Sequence, residues 1–175
     1  MQDPRYPVGE FQPVVGPVTN ALRLRWIAEL AAAPEEMRAA VAGLSEQQLD
    51  TPYRPDGWTV RQVAHHVPDS HMHSYIRFRW ALTENAPTIK PYDEVLWAQL
   101  PDARSAPVEA SLLLLDGLHR RWTALLRELT PADWDRTFFH PERGIVSLES
   151  NLAMYAWHGR HHVAHITSLR ERMGW

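Results

Sequence analysis

The sequence predicts an all-α chain folded as a helical bundle, and three observations predict it. Three or four long segments carry apolar residues at helical spacing, each bounded by a capping residue or a proline. Strand-like segments are confined to one short region. The ten histidines are concentrated in two of the helical segments: four lie in "VAHHVPDSHMH" (63–73) and four in "WHGRHHVAH" (157–165). Bundles build metal sites in their cores from side chains on facing helices, so histidine-rich helices fit this class.

The elements follow in order. Residues 1–18 carry Pro4, Pro7, Pro13 and Pro17 without helical period and form an extended arm. Thr19 or Asn20 caps a helix over "ALRLRWIAELAAAPEEMRAAVAGL", which Pro34 either kinks or restarts. "SEQQL" adds a short turn, and "TPYRPDGW" (51–58) is a loop by its proline and glycine. Thr59 with Gln62 makes a capping box for a long helix from Val60 to about Thr83, bent near Pro68. Residues 84–104 hold three prolines and form a loop with a helical piece around 92–98. Residues 105–129 give a strongly amphipathic helix with proline near its start, and Thr130-Pro131 begins a short turn. "RTFFHPERGIVSL" (136–148) reads as two extended segments around Gly144, after which Ser147 caps a last helix reaching about Arg172.

At 175 residues this is one domain, 1–175. The net charge of −3 gives no support to nucleic-acid binding or to an anionic membrane surface. The N-terminus has no basic-then-apolar leader, and no apolar run approaches the ~20 residues of a membrane span, so the expected location is cytoplasmic. There are no cysteines, which excludes disulfides, a cysteine nucleophile and thiolate-based zinc sites. A metal would be held by imidazole, carboxylate or both, and a thiol would have to arrive with a small molecule.

On the last helix, Leu148, Leu152, Tyr155, Gly159, Val163 and Ile166 share one face, with Gly159 allowing close helix approach. His158 and His162 lie roughly 60° from its centre and border the core, while His161 and His165 lie roughly 120° away and should face solvent. A third ligand would come from His65, His66, His71 or His73, among which periodicity does not choose because Pro68 interrupts the phase. His71, His73, His119 and His140 otherwise read as surface or hydrogen-bonded core residues, and Arg77 and Arg79 as solvated. Three neutral imidazoles suit Zn²⁺, and also Ni²⁺ or Fe²⁺, and leave a position open for catalysis. There a metal lowers the pKa of a bound water or deprotonates a bound thiol. The glutamate of an H-E-x-x-H motif is replaced by Gly159, so this is not a zincin-type helix. Asp69, one turn after His66, is the candidate base.

The blocks "LDTPYRPDGWTVRQVAHHVPDSHMHSYIRFRWALTE", "IKPYDEVLWAQLPD", "LHRRWTALLRELT" and "YAWHGRHHVAHITSLRERMGW" resemble the YfiT-like branch of the DinB superfamily over nearly the whole chain. The resemblance implies a four-helix bundle, in a homodimer, with one divalent metal per chain held between helices on His66, His158 and His162. Zinc is the expected ion, with nickel or iron as alternatives. The choice of His66 over His65 rests on the resemblance alone. Pro68 departs from the family motif, which carries alanine there. Members resemble metal-dependent hydrolases or bacillithiol S-transferases that act on small molecules. With no glutamate placed as a base, thiol S-transfer to an electrophile, with a low-molecular-weight thiol as co-substrate, is favoured over hydrolysis of a small molecule by metal-bound water. A non-catalytic module with a structural metal is the reading from a different class. Arg54, Asp56, Trp58, Tyr155 and Trp157 are the expected substrate rim.

Overall fold

The computed structural model describes residues 3–175. Its elements are α1 (Asn20–Val41), α2 (Glu46–Leu49), α3 (Val60–Thr83), α4 (Glu94–Trp97), α5 (Pro101–Ser105), α6 (Val108–Arg127), α7 (Pro131–Trp134), β1 (Thr137–His140), β2 (Gly144–Ser147) and α8 (Leu148–Met173). The long helices α1, α3, α6 and α8 form a four-helix bundle. Helix α1 packs on α6 and α8, and so does α3, which places α1 and α3 on a diagonal although they are consecutive in the chain. No helix among the described residues is long and apolar enough to cross a membrane.

Local chemistry sets the helix starts. The Thr19 hydroxyl caps α1, Thr59 and Gln62 form a reciprocal capping box on α3, and Ser147 caps α8. Pro34 does not end α1, which runs straight through it. The stretch 84–104 is more helical than its prolines suggest, because Pro101 occupies the first turn of α5, where its missing N–H costs nothing.

The core divides into two apolar clusters. One gathers Ile27, Leu30, Phe78, Trp122, Leu126 and Leu152, and the other Met37, Val60, Val63, Val67, Leu115 and Ile166. Between the two clusters lie His71 on α3, His119 on α6 and His158 and His162 on α8, with His66 on α3 beside Val67 at the edge of the second cluster; α1 adds no histidine. A polar layer across a bundle core is costly unless its groups find partners. The hairpin β1–β2 pairs Phe138 with Val146 and His140 with Gly144, where φ is +74°. It is tied to the loop before α4 through the Ile89 N–H on the Phe139 carbonyl and the Phe139 N–H on the Pro87 carbonyl. Hairpin and loop together cover one side of the histidine layer.

Candidate metal centre

His66 from α3 and His158 and His162 from α8 each offer a ring nitrogen within 4.8 Å of the others. His158 Nε2 lies 3.4 Å from His66 Nε2 and 3.2 Å from His162 Nε2. A tetrahedral zinc with Zn–N bonds of about 2.05 Å spaces its ligand nitrogens about 3.3 Å apart. The donor set therefore fits such an ion in chemistry, and the two distances to His158 match its spacing. Burial holds His66 down to about 3, with His165 and His161 adding to the effect. Burial, followed by the neighbouring imidazoles, holds His158 and His162 well below the usual imidazole range. All three are neutral at pH 7, the form that ligates.

Two hydrogen-bonded chains of histidines fix which nitrogen is free. Pro34 has no N–H to give to the Leu30 carbonyl four residues back, and His119 Nδ1 takes that carbonyl at 2.6 Å. A carbonyl only accepts, so His119 carries its proton on Nδ1 and accepts at Nε2. His71 Nδ1–H donates to that Nε2 at 2.9 Å, and His158 Nδ1–H donates to His71 Nε2 at 3.1 Å. The Nε2 lone pair of His158 is thereby left facing His66 and His162. The second chain starts in the N-terminal arm: His165 Nε2–H donates to the Arg5 carbonyl at 3.1 Å, leaving its Nδ1 to accept from His162 Nδ1–H at 3.3 Å. His162 likewise presents Nε2. Partners of this kind orient metal-binding histidines and raise their basicity.

This second chain corrects the expectation that His161 and His165 face solvent. Both are buried, because the arm lies across them. Tyr6 packs on the His161 ring, Phe11 on Trp157, and Trp157 Nε1–H donates to the Gly9 carbonyl. Helical periodicity locates the bundle core but not a covering segment that comes from outside the bundle. Gly159 does serve a close approach: a Cβ there would sit 3.2 Å from Ala33 Cβ on α1 and 3.7 Å from the His71 ring.

A cavity of about 310 Å³ opens onto the three histidines, with Ser70, Arg77, Met154 and Tyr155 on its helical walls. Trp58 closes one side, its ring 4.6 Å from His66 and 6.4 Å from His162. Tyr92 comes from the loop before α4, and His140, Glu142 and Arg143 from the hairpin.

Of the expected rim, Trp58 and Tyr155 line this cavity and the others do not. The Arg54 guanidinium is spent on the Tyr53 hydroxyl and the Pro55 carbonyl. Asp56 occupies a tight turn at φ 57°. Trp157 holds the arm. Asp69 opens instead onto a separate cavity with His65, Trp97 and Asp102. It is turned about 60° from His66 on α3, towards the side of His65, whereas Ser70, four residues on, shares the His66 face. Burial, then Asp102, raises the Asp69 carboxyl to about 6, but no geometry connects it to the three histidines. Arg77 is buried rather than solvated. Its spacing of eleven residues from His66 was a usable signal. The contributions of Tyr92, His140 and Arg143 had none, since tertiary docking of loop and hairpin brings them in.

Fold and site together define a four-helix bundle whose α3 and α8 bring three imidazoles into an arrangement suited to a divalent metal. The DinB superfamily model matches residues 29–166, and the chain belongs to that family. It is 57% identical over the full length of both chains to a Bacillus mycoides protein named "Putative metal-dependent hydrolase", and 55% identical over the full length of both to a Bacillus cereus protein of the same name. Among solved structures, YfiT from Bacillus subtilis is similar with a TM-score of 0.95 at 50% identity, covering 98% of each chain. It is described as "a probable metal-dependent hydrolase with an unusual four-helix bundle topology". A further four-helix bundle protein, at 21% identity and TM-score 0.58 over 83% of this chain and 98% of its own, shares the fold alone.

Proposed function

We propose that this chain is a divalent-metal enzyme that binds one ion, zinc first among the candidates, on His66, His158 and His162 and acts on a small molecule in the adjoining cavity. The observation that carries the reading is the approach of His66 Nε2 and His162 Nε2 to His158 Nε2 at 3.4 and 3.2 Å, two edges of tetrahedral length, with all three nitrogens within 4.8 Å of one another. When bound, the metal supplies Lewis acidity that activates a nucleophile at neutral pH. The protein's own residues do the rest. The two histidine chains hold His158 and His162 with Nε2 forward. Trp58 shields two of the imidazoles from bulk water. Among the described residues no fourth protein ligand joins the three, and the cavity meets them directly, which supports catalysis over a purely structural metal.

Hydrolysis is the reaction that the relatives' names carry. Thiol transfer is the second reading, and one observation favours it: Asp69 opens on another cavity, and the carboxylates lining this one, Glu94 and Glu142, are exposed. Water needs a base to take its proton, whereas a thiol asks less of the protein. Two parallel assays on zinc-loaded protein separate the reactions. One is an ester and amide panel without thiol; the other is an electrophile with bacillithiol, glutathione or cysteine. Turnover without thiol, lost in His158→Ala, establishes the hydrolase. Acceleration by one thiol, lost in the same variant, establishes the transferase. The homodimer belongs to the same proposal, and light scattering of the purified chain tests it.

A further inference from the structure

Arg77 is the one arginine facing the metal-site cavity from within the bundle. It lies eleven residues after His66 on α3, about 16 Å along the axis and turned by about 20°, so the two share a face. It is 7% exposed. Among the described residues its guanidinium has neither a hydrogen-bond partner nor a carboxylate within ion-pair distance. Arg61 shows what a satisfied buried arginine looks like in the same helix: at 3% exposure it holds Asp50 at 2.7 Å, Glu46 at 2.5 Å and the Ala106 carbonyl at 3.0 Å. None of its nitrogens is among the sealed polar atoms that lack a partner, so the unpaired guanidinium meets solvent on the cavity side, where an anion has access to it. A second cation, Arg143, reaches the same cavity from the hairpin. Both act on His140 beside them, whose imidazole is pushed down by burial first and by Arg77 and Arg143 next. Glu94 and Glu142 also line this space, but both are exposed and neither bonds to Arg77.

We propose that Arg77, supported by Arg143, is an anion-binding subsite that receives a carboxylate or phosphate group of the substrate at the end of the cavity away from the three histidines. The inference rests on the reading of this cavity as the substrate pocket, and it narrows the substrate class to small molecules with an oxyanion at one end and the reacting bond at the other. The planar fork of arginine suits both oxyanions, since it donates two parallel N–H bonds to either. Neutral substrates would leave the guanidinium unpaired.

The test is oxyanion binding to the full chain, metal-free and zinc-loaded, followed by ¹⁵N-resolved signals of the arginine Nε–H groups and by calorimetry. Succinate and inorganic phosphate are the probes, and succinamide is the neutral control. The expected result is that succinate, phosphate or both shift the Arg77 signal in metal-free protein, with the stronger binder naming the oxyanion. Arg77→Gln should weaken that binding at least ~10-fold, as loss of a charge-assisted pair does, and Arg77→Lys should retain part of it. Melting temperature and zinc content of both variants show whether they are folded. Equal binding by wild type and Arg77→Gln overturns the proposal, and so does an Arg77 signal that neither anion moves. Because the metal-free measurement needs no zinc, failure of the metal assignment would leave this result standing, and the reverse.

Discussion

Replacing His71 with phenylalanine removes a group that touches no metal, yet it should weaken metal binding. In the native chain the order Leu30 carbonyl, His119, His71, His158 is set by bonds of 2.6, 2.9 and 3.1 Å, and only one assignment of protons satisfies all three. Phenylalanine keeps the ring's bulk and takes away the acceptor for His158 Nδ1–H. The His158 ring is then free to carry its proton on Nε2, the nitrogen that must be bare. Loss of such a partner costs 10- to 100-fold in metal affinity, about 1.4–2.7 kcal/mol. His165→Phe should act in the same way through His162, because it cuts the bond to His162 Nδ1. Zinc affinity is measured by competition with a chromophoric chelator. The ¹⁵N shifts of the metal-free protein report the tautomers directly: His158 and His162 protonated on Nδ1 in wild type, and a mixture at the affected ring in each variant. Unchanged affinity in both variants, or Nε2-protonated His158 in wild type, would refute the relay.

Acid should unfold the metal-free protein early. His66, His71, His158 and His162 are all held below their unfolded value by burial, so the unfolded chain binds more protons below pH 6.5. Their stabilisation is complete above that pH and is lost as pH falls below it, and because the four rings touch one another they act as one coupled unit rather than as four separate groups. Thermal melts from pH 7.5 to 5 should show a steep fall starting near 6.5, and a flat profile contradicts the burial of these rings. At Gly159, valine should cost at least ~2 kcal/mol in a denaturant titration, since its methyl groups meet Ala33 and the His71 ring. Alanine should come out near neutral, because its helix propensity of about 1 kcal/mol over glycine offsets the tight contact. A stable Gly159→Val would show that α1 and α8 are free to move apart.

The helices were legible because their signals are local. Thr59 with Gln62, Ser147 before α8, and the apolar row from Leu148 to Ile166 each report on a few neighbouring residues, and each is where the sequence puts it. His158 and His162 were readable for the same reason, as residues bordering that row. What the sequence did not show depends on contacts between distant segments. The arm over His161 and His165 lies about 150 residues away in the chain, and no helical period reports it. The part played by Pro34 was hidden too: on the sequence it is a helix breaker, and only the fold brings His119 to the carbonyl that it leaves free. Asp69 was misplaced by treating one helical turn as one face. A separation of three residues still turns the side chain by 60°, and on α3 that is the difference between two cavities.

The most direct test of the central claim is the metal content of the protein purified without added metal, alongside single alanine variants at the histidines. The account predicts about one equivalent of divalent metal in wild type and in His65→Ala and His161→Ala, with correct folding by circular dichroism throughout. It predicts loss of the metal in His66→Ala, His158→Ala and His162→Ala. Retention by any of those three, or loss in His65→Ala with retention in His66→Ala, would contradict the assignment of the site.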